Sequence, residues 1–258
     1  MTKKGMIKTE EEIVLIRESC QRLARILQQV KSAVKPGVTT RELDQLAERL
    51  MREGGDEPAF LNYTPEGARK PYPGTLCVSV NDEIVHGIFS DRVLKEGDII
   101  GIDTGLKHKG FYSDSAMTVP VGEIDETAKK LLAVTKGALD VAIETARAGK
   151  TTGDVGHAIE KYVNSHGFVI VEELGGHGVG YHQHEDPHVA NYGTPGQGTR
   201  LKPGMVLALE PIVNEGTRFI KLMPDGYTYV TKDHKRSGHF EHTVLITPEG
   251  PAEILTKI

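Results

Sequence analysis

The chain has only two cysteines, Cys20 and Cys77, and no tryptophan. Two cysteines make neither a disulfide framework nor a Cys-based structural zinc site. No stretch approaches the roughly 18 consecutive apolar residues that a membrane span needs. The opening MTKKGMIKTEEEIVLIRESC lacks the apolar run of a signal peptide. A cytoplasmic chain with no membrane contact is therefore expected. An excess of positive charge is also missing: 31 Lys and Arg face 36 Asp and Glu, a net −5. Direct nucleic-acid binding is not expected from that balance. Hydrophobic residues at 38% and charged residues at 26% fit a globular protein. A length of 258 residues suffices for one large domain with a real core.

The patterning falls into two similar halves, roughly 9–121 and 122–250, within a single domain covering 1–258. Thr9 and Glu12 fit a capping box, and Ile13, Ile16, Cys20, Leu23, Leu27, Val30 and Val34 form a helical stripe that ends at Pro36-Gly37. A second helix is predicted from Thr40 to Glu53, then a Pro- and Gly-rich loop over 56–76. Strand-like runs follow: LCVSV, EIVHGI, DIIGIDTG and FYSDSAMTV. The order then starts again. Two helices are predicted, one from near Asp125 and one in TTGDVGHAIEKYVNSHG. The runs FVIVEEL, MVLALEPIV, YTYVT and HFEHTVLIT come after them. Gly37, Thr39, Thr40, Leu43, Glu48 and Gly55 match Gly149, Thr151, Thr152, Val155, Glu160 and Gly167 at a constant offset of 112. The expected fold is α+β: a duplicated unit with antiparallel sheet flanked by two helix pairs, related by a pseudo-twofold. The seam between the halves is a natural place for a site fed by both.

The chemistry-bearing residues are acids in apolar surroundings. GIDTGLKHKGFYSD puts Asp103 and Asp114 on neighbouring strands, where aspartate is disfavoured. A turn at His108-Lys109 would set them directly opposite, with Cβ atoms roughly 5 Å apart. Two solvated acids on an exposed face would also fit, but the apolar flanks favour half-buried strands. A cation between the two carboxylates would turn their repulsion into binding. Glu210 ends MVLAL, and Glu241 enters FEHTVLIT. GGHGVGYHQHEDPHV reads as a glycine turn around His177 that allows close approach, whereas His182 and His188 read as surface residues. Four carboxylates and one imidazole, Asp103, Asp114, His177, Glu210 and Glu241, would suit two divalent cations such as Mn, Fe, Co or Zn.

The segments SVNDEIVHGI, GDIIGIDTG, YSDSAMT, GGHGVG, HEDP, VLALEP and FEHTVLIT, in that order, resemble the type I methionine aminopeptidases of the pita-bread metallopeptidase family. The resemblance covers essentially the whole chain. It implies removal of the N-terminal methionine of nascent polypeptides when the second residue is small, by a monomer. It implies two divalent ions (Co, Mn, Fe, Zn or Ni) on Asp103, Asp114, His177, Glu210 and Glu241, with Asp114 and Glu241 bridging. Glu210 would take up a proton from the attacking water. His86 and His184 would contact the substrate, and Asn81 and Ser237 fall near a monovalent-cation site. Tyr63, Tyr72, Cys77, Gln183 and Tyr227 match methionine-pocket positions. Gln183 stands where an aromatic residue is common, Tyr227 where a tryptophan is common, and the 60–75 loop is longer than expected.

Two rival functions share this fold. A proline-type aminopeptidase usually carries an additional N-terminal domain, and only about 35 residues precede the core repeat here. A binding module would have lost ligand positions, and all five are filled. A metal-free scaffold would leave clustered acids uncompensated.

Overall fold

The computed structural model describes residues 5–65 and 67–257. Four helices form where caps and periodicity place them. They are α1 (Glu10–Ala33), α2 (Thr40–Glu53), α3 (Glu126–Thr145) and α4 (Thr152–Ser165). Thr9, Thr39 and Thr151 each accept from the backbone N–H three residues on, and Glu12, Glu42 and Asp154 reach back to complete three capping boxes. Asp125 caps α3 alone. The α1 stripe buries Ile16, Cys20, Leu23, Leu27 and Val30.

The strands are short, and every pairing is antiparallel. β1 (Glu57–Pro58), β2 (Cys77–Val80), β3 (Glu83–Val85), β4 (Ile99–His108) and β5 (Phe111–Pro120) precede α3. β6 (Val169–Ile170), β7 (Gly175–Gly178), β8 (Glu185–Ala190), β9 (Val206–Leu209) and β10 (Ile212–Asn214) follow α4. β11 (Ile220–Leu222), β12 (Tyr229–Thr231), β13 (Ser237–His239), β14 (His242–Leu245) and β15 (Glu253–Ile254) complete the chain. In the first half β4 pairs with β5 on one edge and with β1 and β2 on the other. In the second, the order is β15-β14-β9-β7-β8. Two smaller sheets, β13-β10-β6 and β11-β12-β3, lie beside them.

The duplication extends to backbone hydrogen bonds. Gly37 N–H donates to Leu94 and Gly149 N–H to Leu201; Thr40 donates to Arg92 and Thr152 to Thr199. Gly37 and Gly149 hold φ of +92° and +87°, which explains why both copies need glycine there. Each helix pair covers its own sheet. Leu23, Leu27, Leu43 and Met51 pack on Ile100, Ile102 and Leu106. Leu131, Leu139, Val155 and Ile159 pack on Leu207 and Val244.

Two expectations are corrected. The hairpin turns at Lys109-Gly110, both at positive φ, rather than at His108-Lys109. Asp103 therefore faces Ala116, and Asp114 faces Gly105. The two aspartates share a face diagonally instead of standing opposite each other. The glycine-rich run around His177 is not a turn but strand β7, paired with β8 and β9. A Cβ on Gly176 would lie 2.2 Å from the Ala208 carbonyl oxygen, and one on Gly178 2.3 Å from that of Asp186. Glycine is there because the neighbouring backbones press in.

Candidate metal centre

Polar links stitch β5 to the second half. Thr243 Oγ1 donates to the Asp114 carbonyl and accepts from the Asp114 N–H. Ser115 Oγ donates to the Glu241 carbonyl, and Glu241 N–H to that of Ala116. Thr118 Oγ1 and the His239 backbone exchange two more bonds. These bonds fix Asp114 against Glu241. The second pair of acids has a geometry of its own. Leu209 pairs with His242 and Ile212 with His239. That single register on both sides of a gap puts Glu210 opposite Glu241 where the ladder is interrupted. Pro211, which has no N–H to donate, sits in the same gap.

The structure brings all five expected ligands to one cavity of about 380 Å³. One atom each of Asp114, His177 and Glu241 lie within 4.8 Å of one another. His177 Nε2 is 3.7 Å from Asp114 Oδ2 and 3.6 Å from Glu210 Oε1. His177 Nδ1 lies 2.8 Å from the Gly178 carbonyl. A ring nitrogen facing a carbonyl must donate, so a neutral His177 leaves its Nε2 lone pair aimed into the cluster.

The electrostatics call for a cation. Asp103 Oδ1, Asp114 Oδ1 and Glu241 Oε1 are buried and have no hydrogen-bond partner among the described residues. Burial, followed by repulsion from neighbouring carboxylates, pushes the pKa of all three well above the ordinary range. Glu210 behaves differently. Burial would raise it, but the approach of His239 and the charges of His239, His177 and His86 outweigh that and hold it below its usual value. Unpartnered oxygens, crowded negative charge and a pre-oriented imidazole fit oxygen-rich binding of divalent ions.

Around this cluster stand the other expected residues. His86 and His184 line the cavity with Tyr63, Tyr72, Cys77 and Tyr227, and Phe60 and Pro65 join them. His86 follows β3 at φ +57°. Burial lowers its pKa to about 4. His184 sits between β7 and β8 with one exposed flank and with its ring 4.5 Å from that of His177. Burial of its inner face, then the His177 charge, brings its pKa to about 4 as well. Tyr63 Oη lies 3.1 Å from His184 Nδ1. Tyr72 and Tyr227 meet edge to face at 5.1 Å.

Gln183 does not line the cavity. It is 2% exposed and lies behind the cluster, donating through Nε2 to Asp114 Oδ2. Asn81 and Ser237 do come together, since Ser237 N–H donates to the Asn81 carbonyl. Sequence reasoning missed His239, whose Nε2 is 3.4 Å from Glu210 Oε2. The available signal was its position two residues before Glu241 in HFEH, which puts both side chains on one face of an extended chain.

Residues 14–248 match the sequence model of Metallopeptidase family M24. The chain is 47% identical over 251 residues to Methionine aminopeptidase 1 of Bacillus subtilis, covering 97% of this chain and 98% of that protein. The solved methionine aminopeptidase of Thermotoga maritima superposes with a TM-score of 0.93 at 43% identity, covering 98% of this chain and 99% of that one. The prolidase of Pyrococcus furiosus gives 0.77 at 27% identity, and the match covers 98% of this chain but only 66% of that one. With the fold, the acid cluster and near-full-length similarity in agreement, the chain belongs to metallopeptidase family M24, in its methionine aminopeptidase branch.

Proposed function

We propose that this chain removes the N-terminal methionine from nascent proteins and peptides whose second residue is small, as a cytoplasmic monomer. The convergence of Asp103, Asp114, His177, Glu210 and Glu241 on one cavity, with two neutral histidines at its wall, carries this reading. Those five residues would hold two divalent ions (Co, Mn, Fe, Zn or Ni), with Asp114 and Glu241 placed to serve both. When bound, such ions supply Lewis acidity and lower the pKa of water. A monovalent cation near Asn81 and Ser237 is part of the same reading. The halves 9–121 and 122–250 form one catalytic unit.

The roles of the side chains follow from their protonation. Glu210, held ionised beside His239, accepts the proton of the attacking water and passes it to the leaving amine. His184 is neutral near pH 7. With Nδ1 accepting from Tyr63, its Nε2–H is free to donate to the oxygen that gains charge. His86, also neutral, faces the leaving amide. Phe60, Tyr72, Cys77 and Tyr227 offer an apolar recess with aromatic edges, suited to a thioether. The second side chain must lie close to the acid cluster, so bulk there keeps the scissile carbonyl from its productive position.

A peptide panel tests the proposal. Starts of Met-Gly, Met-Ala and Met-Ser should be cleaved, Met-Thr more slowly, and Met-Leu or Met-Lys hardly at all, assayed with each of several divalent metals. Preference for Ala-Pro over Met-Ala starts would instead support a proline-type enzyme. Among the described residues no helix is long and apolar enough to cross a membrane.

A further inference from the structure

Gln183 departs from the pocket role that its sequence position suggests. Its side chain is buried and turned away from the cavity, and its amide nitrogen donates to Asp114 Oδ2. We propose that Gln183 is a positioning residue for the Asp114 carboxylate: by holding Oδ2, which also lies 3.7 Å from His177 Nε2, it fixes the direction in which the whole group meets the divalent ions. This rests on reading the acid cluster as a metal centre.

Three observations support it. First, the hydrogen bonding of Asp114 is one-sided. Oδ2 accepts from Gln183, while Oδ1 is buried without a partner among the described residues. A hydrogen bond to one oxygen restrains rotation of the carboxylate, so both oxygens keep a preferred direction. Second, the sheet makes room for this amide. Gly105 stands opposite Asp114, and a Cβ there would lie 2.5 Å from Gln183 Oε1 and 2.7 Å from Nε2. No positive φ requires glycine at this position; the space is taken by the Gln183 amide and, at 2.9 Å, by the Ala59 Cβ. Third, the segment that carries Gln183 is anchored independently. Gly180 accepts from the Tyr112 N–H, His182 N–H donates to Glu185, and Glu185 pairs at 2.6 Å with the buried Lys8. His184 is the next residue. One short anchored stretch thus places an amide on a metal-facing acid and an imidazole on the substrate side.

A space-filling role would need only the volume of the side chain. Glutamine is a costly choice for that: its Oε1 is buried with no partner among the described residues. An amide in a closed space beside a carboxylate is accounted for by the bond that it donates.

The test uses the full chain, stripped with a chelator and titrated with Mn²⁺ by calorimetry. Gln183→Met keeps length and volume but removes the donor. Gly105→Ala leaves Gln183 intact but displaces its amide. Both should remain folded by circular dichroism and weaken Mn²⁺ binding by roughly 10–100-fold, as loss of an orienting partner does. At saturating Mn²⁺, the preference of Gln183→Met for Met-led over Leu-led peptides should equal that of wild type. Folded variants that bind Mn²⁺ within twofold of wild type would overturn the proposal. So would a changed peptide preference with unchanged affinity, which would return Gln183 to the pocket wall. If only one variant folds, its affinity decides. Wild type that binds Mn²⁺ but leaves Met-Ala peptides intact would sink the aminopeptidase reading alone.

Discussion

At the scale of single residues, the site divides into groups that hold charge and groups that respond to it. Asp114 touches both classes of neighbour: 3.7 Å from His177 Nε2, and bonded to Gln183 behind it. His184 lies one layer out, against the His177 ring and the Tyr63 hydroxyl. These positions predict opposite failures. Asp114→Asn replaces a central anionic oxygen pair with one neutral oxygen and an NH2, so metal content and turnover should vanish together. His184→Ala removes only a donor to the developing oxyanion. Turnover should fall roughly 10²–10³-fold, the worth of one such donor, while metal content by elemental analysis stays near wild type. Loss of metal from His184→Ala would make it a ligand and overturn the division.

Elements, rather than residues, decide what can be read from sequence. β7 shows the limit. Its sequence GGHG has no β-branched or aromatic residue, so propensity points to a turn. The reason for glycine lies on another strand, where the Ala208 carbonyl leaves no space for a Cβ on Gly176. Gly176→Ala should therefore cost about 2 kcal/mol or more by overpacking against fixed backbone, seen as a lower denaturant midpoint. Gly101→Ala on β4 is the control. There a new Cβ meets nothing closer than 3.6 Å, so the midpoint should hold or rise. Equal effects at the two positions would mean that neighbouring backbone is not the cause. Where the signal is local, it was legible. All four helices were placed, the first by its capping box and 3.6-residue stripe, and acids in apolar runs singled out four carboxylates that line one cavity. What stayed hidden depended on partners distant in sequence. The hairpin register follows from two positive-φ residues, and Lys-Gly announces such a turn only weakly. The direction of Gln183 follows from a bare Gly105 on another strand. His239 was signalled only by its spacing from Glu241; its approach to Glu210 depends on the pairing of β13 with β10.

For the whole molecule, the cluster sets stability against function. Two packed halves are held face to face, and their seam is crowded with carboxylates that burial and mutual repulsion keep well above their ordinary pKa. Groups of this kind bind more protons folded than unfolded, so they withdraw stability as pH rises beyond the ordinary carboxylate range near 4. The histidines act in the opposite sense. His86, His184 and His242 are lowered from 6.5 to about 4, so the stability they confer is complete above 6.5 and is lost as pH falls toward 4. Between about pH 4 and 6.5 the two sets oppose each other; above 6.5 these histidines add no slope, and any that remains from the two sets is the carboxylates', downward with pH. The metal-free chain should therefore lose thermal stability as pH rises above 6.5. Divalent metal at a hundred times its dissociation constant should add about 2.7 kcal/mol, roughly 5–10 °C for a chain of this size, and remove that slope. Glu241→Gln removes one of the crowded acids. Its metal-free form should melt at or above the wild-type temperature with a flatter pH profile, and added metal should raise it little. Melting curves at pH 6.5, 7.5 and 8.5, with and without Mn²⁺, decide the matter. A metal-free wild type whose stability rises through that range would show that its carboxylates are ionised without help, and the cluster would then need no cation to form.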